Sequence, residues 1–138
     1  MSVFTSYIEV NTKGKTDVID LTRQVEKGVE KSKIIAGAVT IFVTGSTGGI
    51  TTIEYEPALV SDMQGFFEKI IPSSQSYAHD KTWGDANGHS HLRASLLGPS
   101  LTVPIIDGRL CLGTWQQIIL MDFDNRPRKR KIILQFIG

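Results

Sequence analysis

All three histidines of this 138-residue chain lie in one polar segment, Tyr77–Arg93. His89 and His91 are two residues apart, so on an extended chain their imidazoles project from the same face. Two imidazoles on one face can bind one metal ion or one anionic group, and His79 completes a three-histidine set if the segment folds back. Three protein ligands with an open position are typical of a catalytic metal site. The pattern therefore predicts a divalent metal, zinc or magnesium, at His79, His89 and His91.

Carboxylates accompany the histidines. Asp80 directly follows His79, and Asp85 lies within the same segment. Either can serve as a metal ligand, as a partner that fixes an imidazole tautomer, or as a general base. The alternative interpretation is a polar loop whose histidines only face solvent.

A second pair of carboxylates, Glu54 and Glu56, lies in the strand-like segment ITTIEYEP. Their spacing places both on one face of a strand, either at a solvated edge or facing the histidine segment. The preceding turn Gly45–Gly49 (GSTGG) lacks the lysine and following helix of a P-loop. It is interpreted as a tight turn, and the alternative is an anion nest using Ser46 and Thr47.

Basic residues supply candidate phosphate ligands. The run Arg126–Lys131 (RPRKRK) is interpreted as a solvated strand edge, with a phosphate contact by Arg128 or Arg130 as the alternative. Arg93, next to the histidines, can also clamp phosphate oxygens. Nucleic-acid binding is not predicted, because the run is short, lacks interleaved aromatic residues and belongs to a chain of net charge +1.

The segment Gly113–Gln116 (GTWQ) is predicted to lie within a strand, where a glycine often marks close approach by a ligand. Trp115 is either a core residue or the wall of a pocket for a flat ring. Gln116 then supplies a directional hydrogen bond to that ring.

The elements that must position these residues follow from hydrophobic patterning. Strands are predicted at Val3–Val10, Thr16–Ile19, Ala38–Thr44, Ile50–Tyr55, Leu101–Ile106, Arg109–Phe123 and Lys129–Ile137. One helix, capped by Thr22 or Asp20, extends to about Ser32, and a second begins at Pro57 and ends before Pro72. Asp107-Gly108 predicts a hairpin, and Ser73–Gly88 a long irregular loop. The fold class is therefore α+β, with two helices on a mainly antiparallel sheet.

Composition places the chain among ordinary globular proteins, with 41% hydrophobic and 21% charged residues. A length of 138 residues and the absence of repeats predict a single compact domain spanning 1–138. The N-terminal segment resembles neither a signal peptide nor a membrane span, which predicts a cytoplasmic protein. The single cysteine, Cys111, is predicted to be a buried apolar residue.

Several motifs together resemble the YjbQ-like family, in which they occur in the same order. They are ITTIEYEP, Y-x-H-D at Tyr77–Asp80, N-x-H-x-H at Asn87–His91, LLGPSLTVP at Leu96–Pro104, DGRL, and LGTWQ at Leu112–Gln116. The resemblance implies a compact α+β domain that forms a homotrimer, with weak or secondary thiamine-phosphate synthase activity. It also implies the following site residues: Glu54, His79, Asp80, His91, Trp115 and Gln116, with His89 less closely matched.

One departure from the family pattern concerns a histidine that opens an H-T-[ST]-A segment in many relatives. Here the matching segment is Val43–Ser46, without a histidine. Its role is therefore vacant in this chain or is taken over by His89.

Three hypotheses for function follow. The first is a thiamine-phosphate synthase-like transferase acting on a phosphorylated heterocycle, with a metal-assisted histidine site. The second is a metal-dependent hydrolase of a small phosphate ester or other metabolite, and the third is a non-catalytic metabolite-binding protein. Elemental analysis and turnover assays of histidine variants distinguish them.

Overall fold

Eight strands in two antiparallel sheets and four helices make up the structure, a computed structural model that describes residues 1–138. The strands are β1 Val3–Thr12, β2 Asp17–Asp20, β3 Gly37–Val43, β4 Gly48–Ile53, β5 Ser100–Ile106, β6 Arg109–Leu110, β7 Gln117–Asp122 and β8 Arg128–Ile137. The helices are α1 Thr22–Ser32, α2 Pro57–Ile70, α3 Asp80–Trp83 and α4 Gly88–Leu97. The predicted α+β class is confirmed.

The larger sheet has the order β1-β8-β3-β5-β6, and the smaller has the order β2-β7-β4. Apolar residues alternate along each strand of the larger sheet, so one face is buried and the other faces solvent. The buried face packs against α1 and one face of the smaller sheet, which contributes Ile118 and Leu120 of β7. The main core therefore lies between the two sheets.

The opposite face of the smaller sheet carries Ile119 and Met121, which pack against α2 through Phe67 and against α4 through Ala94. Since β7 is covered on both faces and paired on both edges, its residues 118–122 are all buried. Such a strand has a continuous apolar run rather than an alternating pattern. The layers are the larger sheet, the smaller sheet, and then α2 with α4.

Local sequence explains the two long predicted helices. The Asp20 carboxylate, two residues before α1, accepts hydrogen bonds from the backbone N–H and the hydroxyl of Thr22, the first residue of the helix. Glu56 caps α2 by accepting from the Ala58 and Leu59 N–H groups, and Pro57 occupies the first helical position. No helix is both long and apolar enough to cross a membrane.

The predicted loop Ser73–Gly88 is wrong in part, and so is the helix count of two. The short helix α3 lies inside the predicted loop, and α4 begins at its end, so His89 and His91 lie on a helix and not on an extended chain. Side chains two residues apart on an α-helix point in directions about 200° apart around the helix axis. The expectation that both imidazoles share a face is therefore also wrong.

The predicted strand Arg109–Phe123 is interrupted. Its first two residues form β6 in the larger sheet, and Gln117 begins β7 in the smaller sheet. Between these two strands, the side-chain amide oxygen of Gln116 accepts a hydrogen bond from the Gly113 N–H at 3.0 Å, which closes a turn. Trp115 therefore lies in an exposed turn, and Cys111 is exposed rather than buried as predicted.

The basic run is not a solvated sheet edge, because β8 lies between β1 and β3. Lys129 and Lys131 project to the solvent face, where Lys129 pairs with Glu9 at 3.1 Å. Arg128 and Arg130 lie on the other face of the same strand, in line with its buried apolar residues. Strand alternation therefore sends two of these charges towards the interior.

Candidate functional site

A cleft of about 320 Å³ lies where the ends of β4 and β8 meet the segment that carries α3 and the start of α4. It is lined by Gly45, Ser46, Thr47, His79, Trp83, Asp85, Asn87, His91, Arg128 and Arg130. Five of these residues, His79, His91, Ser46, Thr47 and Arg128, were predicted separately as site residues. The fold brings them together from three parts of the chain.

His79 and His91 form the histidine pair of the cleft. Their ring centroids are 4.3 Å apart with an interplanar angle of 60°, an edge-to-face contact. His79 precedes α3 and His91 lies in the first turn of α4, so the connection between the two helices sets their separation. The pair can bind an anion when protonated, or transfer a proton when neutral.

The pKa of His91 is lowered from its ordinary value, first by burial and then by the neighbouring His79 and Arg128. Asp124 and Asp85 act in the opposite direction. His91 is therefore neutral over more of the physiological pH range than a free imidazole. A neutral imidazole can accept a proton from a reacting group.

Asp80 closes the segment between the two histidines and does not line the cleft. Its carboxylate accepts from the Tyr77 N–H at 2.9 Å and the Gly88 N–H at 2.8 Å. These two hydrogen bonds lower the Asp80 pKa. Its geometry is that of a residue that positions His79 and His91, and the free carboxylate in the cleft belongs to Asp85 instead.

The floor of the cleft is a buried ion pair between Arg130 and Asp122. The guanidinium Nε and Nη2 donate to the two carboxylate oxygens at 2.7 and 2.8 Å. Nη2 also donates to the Thr47 hydroxyl at 2.6 Å, and the Thr12 hydroxyl donates to Asp122 at 2.6 Å. Every oxygen of this carboxylate is thus occupied, which holds the arginine in one orientation.

A second arginine, Arg128, pairs with the fully buried Asp124, whose Oδ2 it approaches at 2.8 Å. The Thr47 hydroxyl donates to the same oxygen at 3.0 Å, so one threonine joins both ion pairs. Burial raises the Asp124 pKa, but its hydrogen bonds with Asn125, Thr47 and Arg128 outweigh burial, and the pKa is lowered overall.

Both arginines line the cleft, and each guanidinium group has one nitrogen that is not hydrogen-bonded within the chain. The Nη1 atoms of Arg128 and Arg130 have no acceptor in the chain, and neither is a buried unsatisfied atom. Gly45, with φ of 122°, gives Arg130 its space, since a Cβ there would lie 2.7 Å from Nη1. Two free guanidinium nitrogens in one cleft are suited to oxygen atoms of a phosphate.

His89 and Arg93 lie on the far side of α4, in a separate cavity with Glu68 and Gln64. The Arg93 guanidinium donates hydrogen bonds to the Ile71 carbonyl, the Thr16 hydroxyl and the Glu68 carboxylate. Arg93 is only 3% exposed and therefore ties α4 to the end of α2 instead of clamping a ligand. His89 cannot replace the family histidine missing from Val43–Ser46, because that segment borders the other cavity.

Three further predicted residues lie away from the histidine cleft. Glu54 follows β4 at the end opposite Gly48, about 20 Å along an extended strand. Gln116 donates to the Thr52 hydroxyl and borders a different cavity of about 440 Å³. Trp115 is 72% exposed beside it. Within one chain these residues form no common site with the histidines.

The three-histidine metal centre is likewise not assembled within this chain. No group of three or more His, Cys, Asp or Glu side chains is placed to hold a metal ion. The two imidazoles of the cleft are accompanied by the guanidinium groups of Arg128 and Arg130, which disfavour a metal cation next to them. The residues present therefore do not fit a His79-His89-His91 centre, and the divalent metal stays a prediction.

Two residues of the cleft, Trp83 and Asn87, had no predicted role, whereas Asp85 and Arg130 were named as alternatives. The pattern of β8 supports Arg130, because it alternates with Ile132 and Leu134 and so belongs to the buried face of the strand. Asn87 immediately precedes α4, but the polar sequence around it conceals the helix start.

Gly88 offers a test of how the two histidines are held. A Cβ at Gly88 would lie 2.7 Å from the Tyr77 Cβ and 2.8 Å from Asp80 Oδ1. Gly88→Ala should therefore push the Tyr77–Asp80 turn away from α4, at a cost of about 1–3 kcal/mol. We expect the NMR cross-peak between the two imidazoles to disappear. Gly65→Ala, in an open part of α2, is the control and should preserve that cross-peak.

The histidines also predict a pH dependence of stability. The pKa values of His89 and His91 are lowered in the folded chain, mainly by burial. The unfolded chain therefore binds more protons than the native one between those lowered values and about 6.5. Stability should fall as the pH falls through this window, measured by urea unfolding at pH 7.5, 6.5 and 5.5. A double glutamine variant at both positions should show a flatter profile, and an unchanged slope would contradict the assignment.

Comparisons with known proteins agree with this fold. A family model described as UPF0047 protein YjbQ-like matches residues 6–138. A UPF0047 protein of Methanothermobacter thermautotrophicus is 39% identical over 100% of this chain and 94% of its own length. One from Archaeoglobus fulgidus is 38% identical over 93% of this chain and 97% of its own length.

Solved structures show the same architecture. A YbjQ-like protein of Sulfolobus solfataricus P2 has a TM-score of 0.95 at 36% identity, covering 99% of this chain and 98% of that one. A protein of Aeropyrum pernix K1 has a TM-score of 0.91 at 30% identity, with 98% of both chains covered. The motif resemblance is thereby confirmed: this chain belongs to the YjbQ-like (UPF0047) family.

Proposed function

We propose that this protein is an enzyme that acts on a phosphorylated small molecule, by a transfer reaction of the thiamine-phosphate synthase type. The observation that carries the proposal is one cleft holding both a histidine pair and two arginines with free Nη1 atoms. The reaction type comes from the family resemblance, and the phosphate class from the side chains of the cleft.

The arginines would bind the phosphate. Asp122 and Asp124 hold the guanidinium groups from beneath, so Arg128 and Arg130 need little reorganisation when a ligand arrives. Preorganised donors stabilise charge that develops during a reaction more effectively than mobile ones. Ser46 also lines the cleft, and its hydroxyl can donate a further hydrogen bond.

The histidines would supply proton transfer. In the proposed reaction a pyrimidine methyl pyrophosphate joins a thiazole phosphate, and pyrophosphate leaves. Negative charge grows on the departing oxygen, which a guanidinium group can stabilise and to which an imidazole can donate a hydrogen bond or a proton. This role is supported by the presence of His91 and His79 in the cleft that holds the two arginines.

A divalent metal and a homotrimer both remain predictions within this proposal. Elemental analysis of the purified protein tests the first, and native mass measurement tests the second. Trp115 and Glu54 are both exposed in the single chain.

The direct test is synthase turnover by purified protein, with thiamine phosphate and pyrophosphate both measured. Arg128→Gln should raise the KM for the phosphorylated substrate roughly 10- to 100-fold, because a charge-assisted hydrogen bond of about 1.5–3 kcal/mol is lost. Lys129→Gln is the matched control, since it removes a neighbouring charge from the opposite face of β8. Thermal unfolding of both variants separates a binding defect from loss of structure.

Two outcomes would redirect the assignment. Release of inorganic phosphate from simple esters, without thiamine phosphate, would favour the metal-dependent hydrolase. Absence of any turnover, with phosphate binding still dependent on Arg128, would favour a metabolite-binding protein. Equal KM values for the Arg128→Gln and Lys129→Gln variants would contradict the phosphate site itself.

A further inference from the structure

The net charge around the histidine cleft does not suit a ligand that carries only negative charge. Two guanidinium groups, Arg128 and Arg130, are matched by the two carboxylates beneath them, Asp122 and Asp124. Asp85 adds a third carboxylate at the rim. With neutral histidines the group therefore carries one net negative charge, although its arginines present donors to the cleft.

Asp85 is the unbalanced member of this group. It is exposed, and its carboxylate forms no hydrogen bond or ion pair in the chain. Only its backbone carbonyl is engaged, by the Asn125 side-chain amide at 2.6 Å. That contact fixes the backbone at the rim, while the carboxylate stays available. A free carboxylate in a cleft with arginines is suited to a cationic group of the ligand.

Asn87, two residues further along, supports the same conclusion. It lines the cleft and is only 4% exposed, yet its side chain makes no hydrogen bond. Its Oδ1 is the one buried side-chain polar atom in the chain without a partner. A buried unpaired acceptor costs about 1–3 kcal/mol, and a half-turn of the amide would exchange it with Nδ2. A ligand N–H group next to the phosphate would satisfy this acceptor.

We propose that the cleft recognises a zwitterionic phosphate ester, with its phosphate at Arg128 and Arg130 and a nearby ammonium or amine group at Asp85 and Asn87. This inference rests on the proposed function, because it uses the same phosphate site. It adds the chemical class of the substrate: a phosphate ester with a nitrogen donor a few bonds from the phosphorus. Asp85 and Asn87 then determine specificity, while the arginines provide the anchor.

Three ligands of nearly equal size test the proposal by calorimetry at pH 7.5: ethyl phosphate, 2-hydroxyethyl phosphate and 2-aminoethyl phosphate. They differ only in the group at the second carbon. We expect the amine to bind roughly three- to tenfold more tightly than ethyl phosphate, with the hydroxyl compound between them, as befits a partly exposed ion pair. The preference should shrink in 0.5 M salt, where exposed charges are screened.

Asp85→Asn is the decisive variant, because an exposed residue without side-chain contacts can be changed without disturbing the fold. It should abolish the preference for the amine and leave ethyl phosphate binding equal or slightly tighter. Asp62→Asn, an exposed and unpaired carboxylate on α2, is the control and should keep the preference.

The results separate this inference from the proposed function. If wild-type protein binds ethyl and 2-aminoethyl phosphate equally, or if Asp85→Asn keeps the preference, the zwitterion proposal is wrong while the phosphate site stands. If none of the three esters nor inorganic phosphate binds, the phosphate site and the zwitterion proposal both fail.

Discussion

Replacing Asp122 by asparagine will lower the free energy of unfolding by about 3–5 kcal/mol, the cost of breaking a buried ion pair by removing one partner. The Arg130 side chain is 7% exposed and the Asp122 side chain fully buried, so solvent cannot compensate the guanidinium once the carboxylate is neutral. Asp122 also accepts hydrogen bonds from the Thr12 hydroxyl and the Asp124 N–H. Three parts of the chain therefore lose a shared partner.

Urea unfolding at pH 7.5 measures this effect, with Asp62→Asn as the control for loss of an exposed carboxylate. A double variant, Asp122→Leu with Arg130→Met, should recover much of the lost stability, because removing both charges leaves neither unpaired. A loss below 1 kcal/mol for Asp122→Asn would show that the pair is not a buried element of the native state.

The second large effect concerns catalysis. His91→Gln and His79→Gln should each lower synthase kcat by roughly 10²- to 10⁴-fold, the usual contribution of a positioned acid or base. Glutamine retains hydrogen-bonding capacity but cannot exchange a proton near neutral pH. Their effects should not add when combined, since two rings 4.3 Å apart act as one unit.

His89→Gln provides the matched control, because this histidine belongs to the same helix but faces the cavity with Arg93. It should keep kcat within about threefold of the wild type while shifting stability through its own buried surroundings. Equal losses for His89→Gln and His91→Gln would contradict the assignment of catalysis to the histidine pair.

Much of the fold could be predicted because most strands carry clear period-2 patterns. Asp107 and Gly108 have positive φ values of 52° and 71°, as the hairpin signal requires. The helix α4 could not be predicted in this way. Its buried side includes His89, Ser90 and Arg93, so no apolar stripe marks its period.

The site was predictable in its residue types more than in its grouping. His79 and His91 were singled out by composition, and Ser46, Thr47 and Arg128 by local chemistry. Their convergence depends on the register of β4 with β7, which places Gly48 opposite Asp122, and on the packing of that sheet against the larger sheet that contains β8. Both follow from long-range packing, so no local pattern separates Trp115 and Glu54 from the histidines.

The double coverage of β7 has a consequence for motion. Amide groups of residues 118–121 lie in the centre of the smaller sheet and should exchange with solvent only through global unfolding. Asp122 continues that strand, so the floor of the cleft belongs to the most stable cooperative unit. Its rim is different, because α3 has four residues and none is buried. A ligand therefore binds between a rigid floor and a more mobile rim, and motion of the rim need not displace the arginines.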